Sequence, residues 1–309
     1  MGRLMISRWT FSDLPEAYKA CAGVRVQTQE SDARWRVARQ IIDEASADRQ
    51  ARADRPEAGL STGLPDLDRV LCGLMPGEFL VLAGRPAMGI TALALHLAGH
   101  VGVVENAAVA VFSQVLSARR LMDRLLAAEG KINQSNVRWD TMDPAARQRL
   151  KAATDRLRDA PIHVVDLPAV GVQELCTWAR ELKAHESGLA LLVIDNLDLV
   201  VVEGGEPVDA ICARLKALAV ELQCTVLALS RLTRRVENRR DKRPRARDLR
   251  HRRSVLRNAD VVMLLYRDEH YDPETLDPGV AEVIVARNLR GPSSVARVAS
   301  YSRVISSSV

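Results

Sequence analysis

The amino-acid sequence predicts an α/β fold: a mainly parallel sheet with helices on both faces. Three observations carry this. Short apolar runs of strand type alternate with helical patterns along most of the 309 residues, and parallel strands need such crossovers. A glycine-rich segment over 84–91 joins the first strong strand-like run to a helix-like run. A second apolar run ends in Asp195, and open α/β sheets bind ligands beyond the carboxyl ends of their strands.

Taken in order, residues 1–30 show no clear period. Over 31–52, Trp35, Ala38, Ile41, Ile42 and Ala45 share one helical stripe among charged residues, which predicts an amphipathic docking helix. The segment from Arg55 through Pro56 to Gly59 breaks it, and Pro76-Gly77 marks a turn. Strand-like runs then fall at 78–83, 109–113, 162–166, 189–194, 225–230, 261–266 and 283–286. Helical patterns occupy 118–128, 144–158, 172–185 and 208–222, and a further helix begins at Thr91. The organisation expected is an N-terminal extension over 1–57 and one large domain over 58–309.

Composition sets the frame. An apolar share of 47% is that of a globular chain long enough to bury a core, which excludes the disordered class. The longest apolar run, 189–202, is interrupted by Asp195, Asn196 and Asp198, so no membrane span is expected. The N-terminus lacks the apolar stretch of a signal peptide, and the expected location is the cytoplasm. Cys21, Cys72, Cys176, Cys212 and Cys224 show no C-x-x-C spacing, which reads as reduced small hydrophobes, not disulfides or a zinc site. His96 and His100 are spaced for a metal on one helix face, but no third ligand accompanies them. Ser113 and Ser230 end strands without a His and Asp pair to activate them.

The net charge of +5 is unevenly distributed. From residue 231 to 257 there are thirteen Arg or Lys against three acids, net +10, so the rest of the chain is net negative. Such a run fits a polyanion such as nucleic acid, through counterion release. The other reading is a solvated arginine-rich face, and no stacking aromatics accompany the run.

The glycine-rich segment reads Gly84, Arg85, Pro86, Ala87, Met88, Gly89, Ile90, Thr91. It meets the phosphate-loop pattern G-x-x-x-x-G-K-[ST] everywhere except the lysine, which is Ile90. Backbone N–H groups and the helix N-terminus can still cradle an anion. Thr91 keeps the hydroxyl that reaches Mg²⁺ in such loops, while Ile90 offers the phosphates no charge. The other reading is a strand-to-helix turn that binds no nucleotide. Asp195 has the form of a Walker B aspartate that helps hold Mg²⁺, or of a simple helix cap; following a phosphate-loop unit favours the metal role.

A longer series of motifs then accumulates. It comprises Ser61-Thr-Gly-Leu-Pro-Asp-Leu-Asp68, Gly73-Leu-Met-Pro-Gly77, Arg85-Pro-Ala-Met-Gly89, Phe112-Ser113, Ile194-Asp195, Leu229-Ser230, Asp241-Lys-Arg-Pro244, Asp248-Leu-Arg250, Tyr266-Arg-Asp-Glu269 and Gly291-Pro292. In this order and spacing, over about 58–305, the chain resembles the motor domain of the DnaB-type replicative DNA helicases. The resemblance implies a RecA-like P-loop NTPase fold, ring-shaped hexamers, ATP with Mg²⁺ between neighbouring subunits, and single-stranded DNA in the channel.

Carried over residue by residue, the resemblance predicts impaired catalysis. The loop lysine falls on Ile90, the water-activating glutamate on Val115, and the phosphate-sensing glutamine on Arg231. The lysine and arginine that reach the neighbouring subunit's nucleotide fall on Arg287 and Leu289, with Arg290 as a substitute for the second. Thr91, Asp195 and Arg85 remain. Where the family carries Asp-Leu-Arg-Glu-Ser-Gly toward the channel, this chain reads Asp248-Leu-Arg-His-Arg-Arg253, which makes Arg250, Arg252 and Arg253 the expected DNA contacts. The expected protein is a pseudoenzyme: a weakly ATP-binding, DNA-binding subunit or regulator, partnered by itself or by an active replicative helicase. The alternative is an active DNA helicase with rewired residues, Arg231 supplying charge and Glu105 or Asp166 a base. The resemblance also implies a separate helical domain before a linker; about sixty residues precede the motor-like region in this sequence, and the helix over 31–52 is the expected linker.

Overall fold

The computed structural model describes residues 42, 59–132, 142–166, 170–185, 188–200, 208–301 and 304–306. The docking helix expected over 31–52 lies outside the described residues except for Ile42, so its stripe, Trp35 included, has no structural account. By contacts the chain divides into Met1–Asp54 and Arg55–Val309, and the second unit is described below.

Nine strands form one sheet: β1 (Phe79–Gly84), β2 (Val109–Ser113), β3 (Ile162–Asp166), β4 (Leu191–Asp195), β5 (Thr225–Arg231), β6 (Val261–Tyr266), β7 (Val280–Asn288), β8 (Ser294–Tyr301) and β9 (Val304–Ser306). Their order is β3-β2-β4-β5-β1-β6-β7-β8-β9. The first six in that row are mutually parallel, and β7, β8 and β9 extend the edge antiparallel. The described helices are α1 (Pro65–Leu71), α2 (Ile90–Val103), α3 (Ala118–Glu129), α4 (Pro144–Asp159), α5 (Val172–His185), α6 (Val208–Leu222) and α7 (Arg252–Asn258).

Alternation along each strand splits the core into two layers. Leu80 and Leu82 of β1 join Val109, Val193 and Leu227 under α2 and α3, through Leu93, Leu97, Leu121 and Leu125. Phe79, Val81 and Ala83 face the other way with Ala110, Ile194 and Val226, against Leu175, Ile211 and Leu215 of α5 and α6. Strands β1, β2, β4, β5 and β6 are buried on both faces, as crossover-covered parallel strands must be, which is why they read as apolar runs, whereas the edge strand β3 is half-buried. Strand β7 lies outside the parallel part of the sheet, and its residues alternate between buried and half-buried.

Local chemistry sets the helix ends. Asp143 accepts from Ala146 N at 2.7 Å, with Pro144 in the first turn of α4, and Ser117 accepts from Arg120 N to start α3. Three strands and two helices have the predicted limits: β2, β3, β6, α5 and α6. Helices α1 and α7 are seven residues each, too short to show a period, and β8 and β9 also went unpredicted.

Candidate functional site

Strand β1 runs into the segment 84–91, which turns into α2. The turn uses left-handed backbone at Ala87 (φ 69°) and Gly89 (φ 98°), and Gly89 caps α2. This aims successive N–H groups and the positive helix end at one point. A cavity of about 470 Å³ opens there, lined by the loop and by Val115, Arg124, Asp195 and Arg231. Of the eight loop residues only Met88 is absent from the lining; its side chain is turned into the core, 1% exposed.

Ile90 packs against the α2-side core. A Cβ built on Gly84 would stand 2.6 Å from Ile90 Cγ2, so the apolar side chain lies directly over the first loop glycine. Thr91 Oγ1 donates to Asp195 Oδ2 at 3.1 Å. The two residues that fit a magnesium ion are thus brought together across 104 residues of chain. Asp195 is 4% exposed. Burial pushes its carboxyl above the usual aspartate range, opposed by the Thr91 hydrogen bond and by the charges of Arg124 and Arg231. Arg124 of α3 was not singled out in the sequence. Its signal there is only a cation on an amphipathic helix, and the α3 packing alone turns it toward the aspartate.

Arg231 ends β5 as the cross-strand partner of Gly84. Val115 also lines the cavity and is 47% exposed. Arg85 lines it while its guanidinium donates to Leu232 O at 2.8 Å and pairs with Glu237 at 2.7 Å. Asp195 is the one carboxylate among the described lining residues. Neither alternative base is there: Glu105 lies 4.0 Å from His100, and Asp166 caps α3 by accepting from Ala118 N at 2.8 Å.

Arg287, Leu289 and Arg290 stand at the opposite end of the sheet, because β7 runs antiparallel to β6. Arg287 Nε donates to Ala259 O at 3.0 Å. Arg290 pairs with Glu78 at 2.7 Å and donates to the carbonyls of Leu71 and Gly73. Leu289 is 61% exposed. The fold does not bring these three to the cavity of their own chain.

The basic segment is only partly a charged face. Arg239 forks onto the buried Asp248 at 2.8 and 2.9 Å, Arg243 pairs with Glu282 at 2.9 Å, and Arg257 with Asp209 at 2.9 Å. These cations hold the segment to the domain. Arg250 lies 3.9 Å from Asp198. Arg252 and Arg253 open α7, exposed and without an ion pair among the described residues. His96 and His100 stack at 6.4 Å, and no cluster of three metal-ligating side chains occurs among the described residues. No helix among those residues is long and apolar enough to cross a membrane.

Residues 59–306 match the family described as DnaB-like helicase C terminal domain. The replicative DNA helicase DnaB of Geobacillus stearothermophilus is 38% identical over 247 residues, covering 78% of this chain and 54% of that protein. The chain therefore spans about half the length of the curated relatives it matches. A solved ATPase domain superposes with a TM-score of 0.79 at 28% identity, over 87% of this chain and 99% of that one. A DnaB-like replicative helicase, described with its primase interactions, superposes at 0.80 and 26% identity, over 94% and 71%. The sheet order, the loop-to-helix turn and these matches agree on a RecA-like domain, and the chain belongs to the DnaB-like helicase C-terminal domain family.

Proposed function

We propose that the protein is a nucleotide- and DNA-binding subunit or regulator serving DNA replication or DNA processing in the cytoplasm, with ATP hydrolysis too slow to drive a motor. One observation carries this reading: Asp195 is the one carboxylate among the described residues lining the cavity, and an exposed valine, Val115, stands where the resemblance expects the base. Thr91 and Asp195 would hold magnesium, which supplies charge to the phosphates when bound. The loop N–H groups and the α2 N-terminus would bind and orient the nucleotide. Loss of a general base costs about 10²–10⁴ in rate, and an absent arginine finger about 10³–10⁵. The losses are not additive, but either one stalls a motor.

Single-stranded DNA is the proposed polyanion, met by Arg250, Arg252 and Arg253. The proposed protein partner is a second copy or an active replicative helicase, with 1–57 as a docking extension ahead of the domain over 58–309. Arg287 and Arg290, remote from their own chain's cavity, would face a neighbour's nucleotide. A second reading is favoured by the intact Thr91–Asp195 pair: an active DNA-dependent ATPase with rewired residues.

Steady-state ATP hydrolysis with and without single-stranded DNA, beside Asp195→Asn, decides between the two. Equal background in both proteins is the expected result. DNA-stimulated turnover that the variant lacks would establish the active enzyme instead.

A further inference from the structure

We infer that Arg231 supplies, from the end of β5, the cation that the loop lacks at Ile90, so that the cavity grips a nucleoside triphosphate by a guanidinium and without need of a divalent metal. This rests on the nucleotide-binding reading above and deepens it.

The placement is the first support. Arg231 is the parallel register partner of Gly84, the first loop residue, and Leu232 N donates to Gly84 O at 3.2 Å. The Arg231 Cα is therefore fixed beside the phosphate cradle by sheet hydrogen bonds, and only its side chain needs to adjust. The side chain is exposed, lines the cavity, and has no ion pair among the described residues. Arg85, by contrast, is committed to Glu237 and the Leu232 carbonyl.

Charge balance is the second. The charged side chains lining the cavity are Arg85, Arg124, Arg231 and Asp195, three cations and one anion. A family-type site with a neutral glutamine at 231 would lose one of those cations, and Ile90 adds none. With Arg85 paired to Glu237, a triphosphate entering this cavity meets Arg124 and Arg231 against Asp195 among the described lining residues. Guanidinium forks match phosphate oxygens with two donors each, where an ammonium offers a point charge. A divalent ion at Thr91 and Asp195 would be repelled by Arg124 and Arg231, so metal adds less to binding than in a site where acids surround it.

The test is equilibrium ATP binding by calorimetry, in magnesium and in excess EDTA, for the wild type, Arg231→Gln, Arg231→Lys and the double variant Ile90→Lys/Arg231→Gln. Each protein's thermal unfolding is recorded to confirm that it folds. Wild-type affinity should survive EDTA. Arg231→Gln should weaken binding by about ten- to a hundredfold, the range of a charge-assisted hydrogen bond. Arg231→Lys should retain most of the affinity, and lysine at position 90 should restore what Arg231→Gln lost. Unchanged affinity in Arg231→Gln, or wild-type binding abolished by EDTA, overturns the inference while nucleotide binding stands. A folded wild type that binds no ATP in either buffer removes the nucleotide-binding reading itself.

Discussion

The imidazole Nε2 of His251 stands 3.2 Å from a carboxylate oxygen of Asp198, joining the turn after β4 to the residue that caps α7. Asp198 is about 4% exposed in its side chain, and its oxygens have no hydrogen-bond partner among the described residues. The basic side chains beside it are His251 and, at 3.9 Å, Arg250. The basic segment is thereby tied to the strand that carries Asp195.

That tie predicts a non-additive pair. Removing the imidazole in His251→Ala leaves a buried carboxylate with one distant cation, a loss of about 1–3 kcal/mol. In His251→Ala/Asp198→Asn the stranded charge is gone, and part of the loss should return. Urea denaturation of the two single variants and the double variant measures the coupling. Simple additivity would show that the contact stabilises nothing.

A second pair predicts the cost of crowding the loop. In Gly84→Ala the new methyl meets Ile90 Cγ2 at 2.6 Å, and overpacking of this kind costs about 1–3 kcal/mol. Shortening the neighbour in Ile90→Ala should make the same alanine at 84 nearly neutral. Thermal melts of the four proteins in the cycle test this.

Asp195 predicts a stability gain from a functional loss. Burial raises its carboxyl in the folded state. The ionised form therefore weakens the fold above the folded-state value, and the penalty fades as pH falls through that value toward the unfolded one. Asp195→Asn should be more stable than wild type at neutral pH by about 0.5–2 kcal/mol, with the advantage shrinking in acid. Its amide oxygen can still accept from Thr91. Melting curves across the acid range provide the check, and a variant less stable at neutral pH would contradict the sign.

For DNA, the arginines should separate by their commitments. Arg252 and Arg253 carry no ion pair among the described residues, whereas Arg250 lies near Asp198. Each phosphate contact removed should flatten the plot of log affinity against log salt by about 0.7 for a single strand. Arg252→Ala and Arg253→Ala should each show this, and Arg250→Ala should show less. Fluorescence anisotropy with a labelled oligonucleotide over a salt series reads it, and equal slopes in all four proteins would remove DNA from this face.

Much of the fold was legible because its signals are local. Strands β2 and β6 are continuous apolar runs, and α5 and α6, at 14 and 15 residues, are long enough for a period to show. Helix α7 was not legible: seven residues that begin with two arginines look like part of a charged loop. The net +10 stretch fits a polyanion face or a solvated face when only its charge is counted. The ion pairs of Arg239, Arg243 and Arg257 show that part of it fastens the segment to the domain. Charge can be counted in a sequence, but each partner's position depends on long-range packing.

What the sequence by itself determined is the strand-to-helix alternation, the phosphate-type loop with Ile90 in place of lysine, and the aspartate that ends β4. Those follow from neighbours in the chain: side-chain period, backbone freedom at Gly89, and residue identity at fixed spacing. Only the tertiary structure decided that Thr91 meets Asp195, that Arg231 stands beside Gly84, that Arg124 joins them, and that Arg290 is held by Glu78 at the far end of the sheet. Those relations arise from strand order and helix packing, which place residues tens to hundreds of positions apart within reach, and no local pattern encodes them.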